Sequence, residues 1–308
     1  MAESLVTLSE IITVNDRNLA DVDVPNFLDA APFMNVGAAV TASHDTLHKW
    51  LRYVLPDVGF REPNDGREVK HSIDTLVTSD CEILDASFRT DLALAQSYRK
   101  GGDDGWVNRE GARHLRAAFF EAEKQVFLGL ANDSGGFPGF PDATHLDGLA
   151  APHMVVSAGG TTAAVQTSAY LVRFGPEDVE IIMGRSGQIS IGDPTIQETA
   201  GATGTYPALY VPVTAWLGLK IGSTVGSVVR IANIEGGFDD DHIAAAYAKF
   251  PADRKPQYMF ANAAALTTLR ASRTATNGTG TPAPFVDSVF GMTVLQSDAI
   301  GNTEALVA

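Results

Sequence analysis

Residues 107–130 read VNREGARHLRAAFFEAEKQVFLGL. Ala112, Leu115, Phe119, Ala122 and Val126 recur there at spacings of three and four, which puts one apolar stripe on an α-helix. Asn108 stands where an N-cap is expected. About 20 residues at ~1.5 Å each predict a rod roughly 30 Å long. GGDDG before it and NDSGGFPGFPD after it are turn signals that punctuate both ends. The rest of the chain must supply the surface that covers this stripe.

Upstream, residues 41–85 read as extended chain with a hairpin. FREPNDGREVKHSIDTLVT contains Asn64-Asp65-Gly66, residue types suited to the positive-φ positions of a tight hairpin turn. After it, Val69, His71, Ile73, Thr75 and Val77 share one face of a strand, with Lys70, Ser72 and Asp74 opposite. Residues 1–40 read as an arm. Thr7 and Glu10 have capping-box spacing, and Pro25 and Pro32 break any long helix. Phe27, Leu28 and Phe33 have no sustained period, so either the chain's own core or a neighbouring subunit must cover them.

Downstream, residues 151 to about 235 are β-rich: TSAYLVRF, DVEIIMG, QISIG, YPALYVPVTAWLGLKIG and SVVRIANI are separated by Gly and Pro. DDDHIAAAYAKF and YMFANAAALTTLRAS read as helices, the first with acids at its favourable N-terminal end. TATNGTGTPAP is loop, and FGMTVLQSDAI and TEALVA are strand-like. The mixture is α+β.

The net charge of -15, with 22 Lys and Arg against 37 Asp and Glu and no basic run, disfavours tight nucleic-acid binding. One cysteine, Cys81, excludes an intrachain disulfide and fits a reducing compartment. The N-terminus lacks the basic start and apolar stretch of a signal peptide. No apolar run approaches the ~20 residues that cross a bilayer, so a soluble protein made and assembled in the cytoplasm is expected.

Motifs for chemistry are sparse. His44 and His48, four residues apart, would share a helical face and hold zinc, but Asp45 stands where a zincin has Glu. Asp239-Asp240-Asp241 lacks the alternation of a calcium loop and reads as a charged helix start. GRSGQISIG and AGATGTYP match neither a P-loop nor a dinucleotide fingerprint, and there is no nucleophile elbow. Cys81 reads as a packed small hydrophobe rather than a reactive thiol. No cofactor and no catalytic residue are expected.

In order along the chain, FLDAAPFMN, then LPDVGFREPNDG with Leu55, Pro56, Arg61, Asn64 and Gly66, then the long helix running into FLGLANDSGGFPGF, resemble segments of tailed-phage major capsid proteins of the Hong Kong 97 fold. Ala158, Gly159, Gly160, Gly218, Leu219, Arg230, Ile231, Ala232, Asn233 and Ile234 continue the resemblance, and GMTVLQSDAIGNTEALV ends it. It covers about residues 5 to 305. The loop at 135–140 is looser than the family pattern, and TSAYLVRFG has Ala-Tyr where relatives often show Ile-Trp.

The resemblance implies an α+β subunit with an N-terminal arm (1–40) and an extended loop (41–85). A peripheral domain (86–150 and 285–308) would carry the long spine helix, and an axial domain would span 151–284. It implies pentamers and hexamers that close into an icosahedral shell around packaged double-stranded DNA, which the shell faces without specific binding. A separate scaffolding protein is expected because the chain passes from its Met directly into the arm. A portal and decoration proteins are further expected partners, with no membrane. Phe27, Phe33, Arg61, Asn64, Gly66 and Arg230 are the candidate assembly contacts, the two arginines as intersubunit or interdomain clamps. The alternatives are an encapsulin-type compartment shell, a metal-dependent hydrolase using His44 and His48, and a monomeric binding module.

Overall fold

The computed structural model describes residues 13–14, 17–18, 28–54, 56–68, 70–150, 153–278 and 281–308. The long helix spans Gly102–Leu128, beginning more than a turn before the expected start. Gly101 takes the N-cap position with left-handed backbone (φ 93°), and Asp103 and Asp104 occupy the first turn, where the helix dipole favours acids. GGDDG therefore opens the helix instead of preceding it, and Asn108 is an internal residue. Leu115, Phe119, Ala122 and Val126 lie on the buried face as the spacing predicts, joined by Ala118 and Phe127. Ala112 is half-buried.

Among the described residues, two large sheets flank the core. The six-stranded sheet runs Ser288–Val289, Met292–Gln296, Tyr258–Ala261, Thr167–Val172, Val228–Ile234, Val155–Ser157. The helices Asp240–Ala248 and Ala263–Ala275 pack on it. The seven-stranded sheet is centred on Val213–Ile221, which pairs with Val179–Met183, Gln188–Ile191 and Glu82–Asp85. The long helix packs against Val213–Ile221 and Glu82–Asp85, and also against Phe88–Asp91. Phe88–Asp91 closes a three-stranded sheet with Gly204–Val211 and Thr195–Gly201.

The sheets cut across the expected boundaries at 150/151 and 284/285. Strands between 179 and 221 join Ala39–Thr41 and Glu82–Asp85, whereas Met292–Gln296 pairs with Tyr258–Ala261 in the six-stranded sheet. Two local expectations also change, and one hairpin appears where none was expected. YMFANAAALTTLRAS divides into the strand Tyr258–Ala261 and the helix Ala263–Ala275. The aromatic run pairs on both sides, with Thr167–Val172 and Met292–Gln296, and Asn262 then caps the helix through Ala265 N at 2.8 Å. AGATGTYP is the turn of a hairpin whose first strand, Thr195–Gly201, is too polar to show an apolar face. TEALVA makes a single β-bridge, Glu304 to Gln166, instead of a strand.

The expected arm is in part core. Pro32 opens the short helix Pro32–Val36, where its fixed φ and missing N–H cost nothing. This helix drives Phe33 into an aromatic nest: its ring centroid lies 5.5 Å from Phe127, 5.7 Å from Phe140, 5.3 Å from Phe174 and 5.2 Å from Phe260. Those partners come from the long helix, the loop after it and the six-stranded sheet with its following turn, so one side chain ties the layers together. Phe33 is fully buried within its own chain, which corrects its reading as an assembly contact. Phe27 lies outside the described residues.

Candidate assembly surface

The long hairpin pairs Leu47–Val54 with Ile73–Asp80 antiparallel, Leu47 opposite Asp80 and Val54 opposite Ile73. Its base is fixed to the body. Cys81 N donates to Thr46 O at 2.9 Å. The Lys220 ammonium lies 5.5 Å from the Trp50 ring centroid while forming a buried ion pair with Glu180 at 2.6 Å. Trp50 Nε1 donates to Ser79 Oγ at 3.4 Å.

The tip differs from the tight turn read in the sequence. The two strands are separated by residues 55–72, so Asn64-Asp65-Gly66 does not join them directly. Residues 62–65 instead form a local β-turn, with Asp65 N donating to Glu62 O at 3.2 Å. Pro63 takes its second position and Asn64 its third, at φ 65°, the pattern of a type II turn. Gly66 does not have positive φ, and a side chain there would meet nothing within 4 Å. Arg61 Nη1 bridges the turn to Asp65 O at 2.9 Å. Arg67 lies against Gly59 and donates to Asp57 O at 3.1 Å. The loop is braced from within.

That bracing holds apolar side chains in water. Phe60 is fully exposed and Val58 is 83% exposed. Leu51 and Leu76, direct cross-strand partners, are both exposed, as is Ile73. A second hairpin adds Ile196 at 64% exposure. Exposed apolar surface of this kind marks interaction sites. The hairpin is thus not the one-faced amphipathic strand pair of the sequence reading, since Ile73 and Thr75 are as open as Asp74 and Leu76. Val69 lies outside the described residues. Phe60 and Val58 escaped the reading because a turn-rich stretch carries no period from which exposure can be read.

Arg230, the other candidate clamp, works inside the chain. It is buried, with Nη2 2.9 Å from Glu304 Oε2, Nε 3.0 Å from Ser168 Oγ and Nη1 3.4 Å from Leu146 O. Asn233 continues the latch: its Nδ2 donates to Val307 O and its Oδ1 accepts from Val307 N, both at 2.9 Å. Together they pin residues 304–307 to the six-stranded sheet. Arg230 therefore ties the expected axial segment to both expected peripheral segments within one chain.

Glu123, which no sequence motif marks, is fully buried on the long helix. One oxygen accepts from Phe33 N at 2.9 Å and the other from the Ser297 hydroxyl. Burial pushes its carboxyl up to about 7, against the lowering effect of the Ser297, Phe33 and Met34 donors. It links the Phe33 nest to the end of the Met292–Gln296 strand.

The chemistry candidates do not assemble. His44 sits in a turn closed by paired backbone bonds with Leu47, and His48 is buried on the Leu47–Val54 strand, so they share no helical face. Burial, Lys220 and His44 all lower the His48 pKa. Among the described residues no group of three or more His, Cys, Asp or Glu could hold a metal ion. Burial, then Asp80 and Glu82, push the Cys81 thiol up to about 11, away from the reactive thiolate. Asp239 caps the helix Asp240–Ala248, accepting from His242 N at 3.1 Å, and Asp240 pairs with Arg273, as a charged helix start requires. Among the described residues, no helix is long and apolar enough to cross a membrane.

Comparisons with known proteins bear on the fold and the family. No curated protein matches the chain. A chain in the near-atomic structure of bacteriophage Epsilon15 superposes with a TM-score of 0.56 at 18% identity, covering 100% of this chain and 98% of that one. The bacteriophage JBD30 capsid gives a TM-score of 0.50 at 13% identity, covering 91% and 96%. The fold is therefore that of the Hong Kong 97-like phage capsid proteins. The family model for the major capsid protein GP7 matches residues 26–308, and the chain belongs to that family of capsid shell proteins.

Proposed function

We propose that this chain self-assembles into pentamers and hexamers that close into the icosahedral head shell of a tailed phage, around packaged double-stranded DNA. The observation that carries the reading is the braced hairpin tip with Phe60 fully exposed. Such a side chain is stabilised when a neighbour covers it, and a contact between unlike surfaces of identical subunits repeats by rotation into rings. The net charge of -15 supports a shell that faces DNA without gripping it. The role is structural, in the virion after assembly in the host cytoplasm, with a separate scaffolding protein, a portal and decoration proteins as partners. We retain the division into arm, extended loop, peripheral and axial parts, with Phe33 assigned to the core.

Light scattering and negative-stain microscopy of the purified chain, alone and with its scaffolding protein, test this. Rings or closed shells are expected. A monomer that persists at all concentrations in both preparations overturns it.

A further inference from the structure

Asp-Gly and Asn-Gly pairs carry a chemistry of their own. The glycine amide nitrogen can attack the carbonyl carbon of the preceding side chain, because glycine has no side chain to obstruct the approach. The chain has three Asp-Gly pairs, at 65–66, 104–105 and 147–148, and one Asn-Gly pair, at 277–278. Their residue types do not separate the three Asp-Gly pairs; their surroundings do.

Asp104-Gly105 lies in the long helix, where Gly105 N is bonded to Gly101 O at 3.2 Å and a side chain at 105 would strike Lys100 O. At Asp147-Gly148, Asp147 Oδ1 faces His153 Nδ1 at 3.2 Å, and a Cβ at Gly148 would sit 3.3 Å from Ala308 O. The Asn277 carboxamide is tied across its loop, donating to Thr281 O at 2.8 Å. At the hairpin tip, Asp65 and Gly66 are both exposed, and the space beside Gly66 is open for 4 Å. Gly66 N lies 2.8 Å from Asp65 Oδ1, which sets the nitrogen against the carboxyl group it would attack. The 62–65 turn, closed from Asp65 N to Glu62 O, fixes the backbone that presents it.

Arg61 supplies a second element. Its Nη1 donates to the Asp65 backbone carbonyl at 2.9 Å. That carbonyl is bonded to the attacking nitrogen, so a cationic donor on its oxygen draws charge from the nitrogen and favours loss of the amide proton. The same carbonyl is one of the two in the cyclic imide that the attack produces.

We propose that Asp65-Gly66 is a site of spontaneous isomerisation, with Arg61 steering the loop to the isoaspartyl form. In the first step Gly66 N bonds to Cγ of the protonated Asp65 carboxyl, and the carboxyl hydroxyl leaves with the amide proton as water. In the second, water adds to the former backbone carbonyl carbon, the one that Arg61 polarises, and the bond from that carbon to nitrogen breaks. The nitrogen stays on Cγ. One water leaves and one returns, with no oxidant or cofactor. The main chain then runs through Cβ and Cγ, longer by one methylene group, and the former carbonyl is a free carboxylate beside Arg61. The brace becomes an ion pair, at the tip that holds Phe60 in water. The reaction needs only water and this loop, so it stands apart from the shell reading.

The test incubates the native full-length chain at neutral pH in water enriched with oxygen-18, beside the same chain in denaturant. Electron-transfer fragmentation of the peptide holding residues 56–68 reads the isomer. Isoaspartate at 65 with one heavy oxygen is expected, about tenfold or more above that at 104 and 147. Arg61→Ala should slow its formation about tenfold, the worth of one charge-assisted hydrogen bond at the transition state. Arg61→Lys should recover part of the rate. In denaturant, where turn and brace are lost, parent and Arg61→Ala should react alike. Isoaspartate at 65 forming no faster than at 104 and 147, or no faster in the native than in the denatured chain, overturns the site. Equal native rates for the parent and Arg61→Ala overturn the role of Arg61.

Discussion

The Phe33 nest and the Phe60 tip are two answers to the same chemical demand. Both place a phenylalanine within three residues of a proline in a stretch with no helical or strand period. Phe33 meets four aromatic rings of its own chain and is fully buried; Phe60 meets none among the described residues and is fully exposed. The difference lies in what their backbones are tied to. Residues 32–36 form a helix capped by a buried carboxylate of the long helix, which draws them into the core. Among the described residues, 56–68 bond to each other, through Arg61, Arg67 and the 62–65 turn, so they hold their shape away from the body. One region completes the chain's own core, and the other stands outside it.

The contrast is most sharply broken by mutation. Phe33→Ala should cost about 3–5 kcal/mol of chain stability in denaturant melts, because a ring is removed from a packed nest. A loss under about 1 kcal/mol would mean that the nest is loosely packed. Arg230→Ala should cost roughly 3–5 kcal/mol, since Glu304 then stays buried without its cation. Loss of particles with unchanged chain stability would return Arg230 to the subunit interface.

Glu123 gives a pH signature. Its carboxyl holds its proton up to about 7, above the ordinary value of 4.5. The folded chain therefore binds this proton more tightly than the unfolded one. Stability is highest below the ordinary value and declines as pH rises to about 7, by up to about 3 kcal/mol if each unit is worth ~1.4 kcal/mol. The melting temperature of the parent should fall more between pH 5 and 8 than that of Glu123→Gln. Parallel curves would show that Glu123 does not titrate in this window.

The smallest effect on the chain itself belongs to the tip. Phe60→Ser should change chain stability by no more than about 0.5 kcal/mol, as for exposed positions generally, while particle yield collapses. A melting shift as large as that of Phe33→Ala would show that the tip is part of the subunit's own core.

Residue by residue, the sequence alone determined the elements whose physics is local. The long helix was readable because its stripe repeats every three to four residues, and the strands at 167–172, 179–183 and 228–234 because β-branched runs end at Gly or Pro. Order along the chain was enough for the family resemblance. Only the tertiary structure decided that Phe33 is core and Phe60 is surface, that Arg230 pairs with Glu304 inside the chain, and that Glu123 is buried. Burial belongs to a set of contacts between residues far apart in the chain, such as 33 with 260 or 230 with 304, and no local pattern encodes which of them meet.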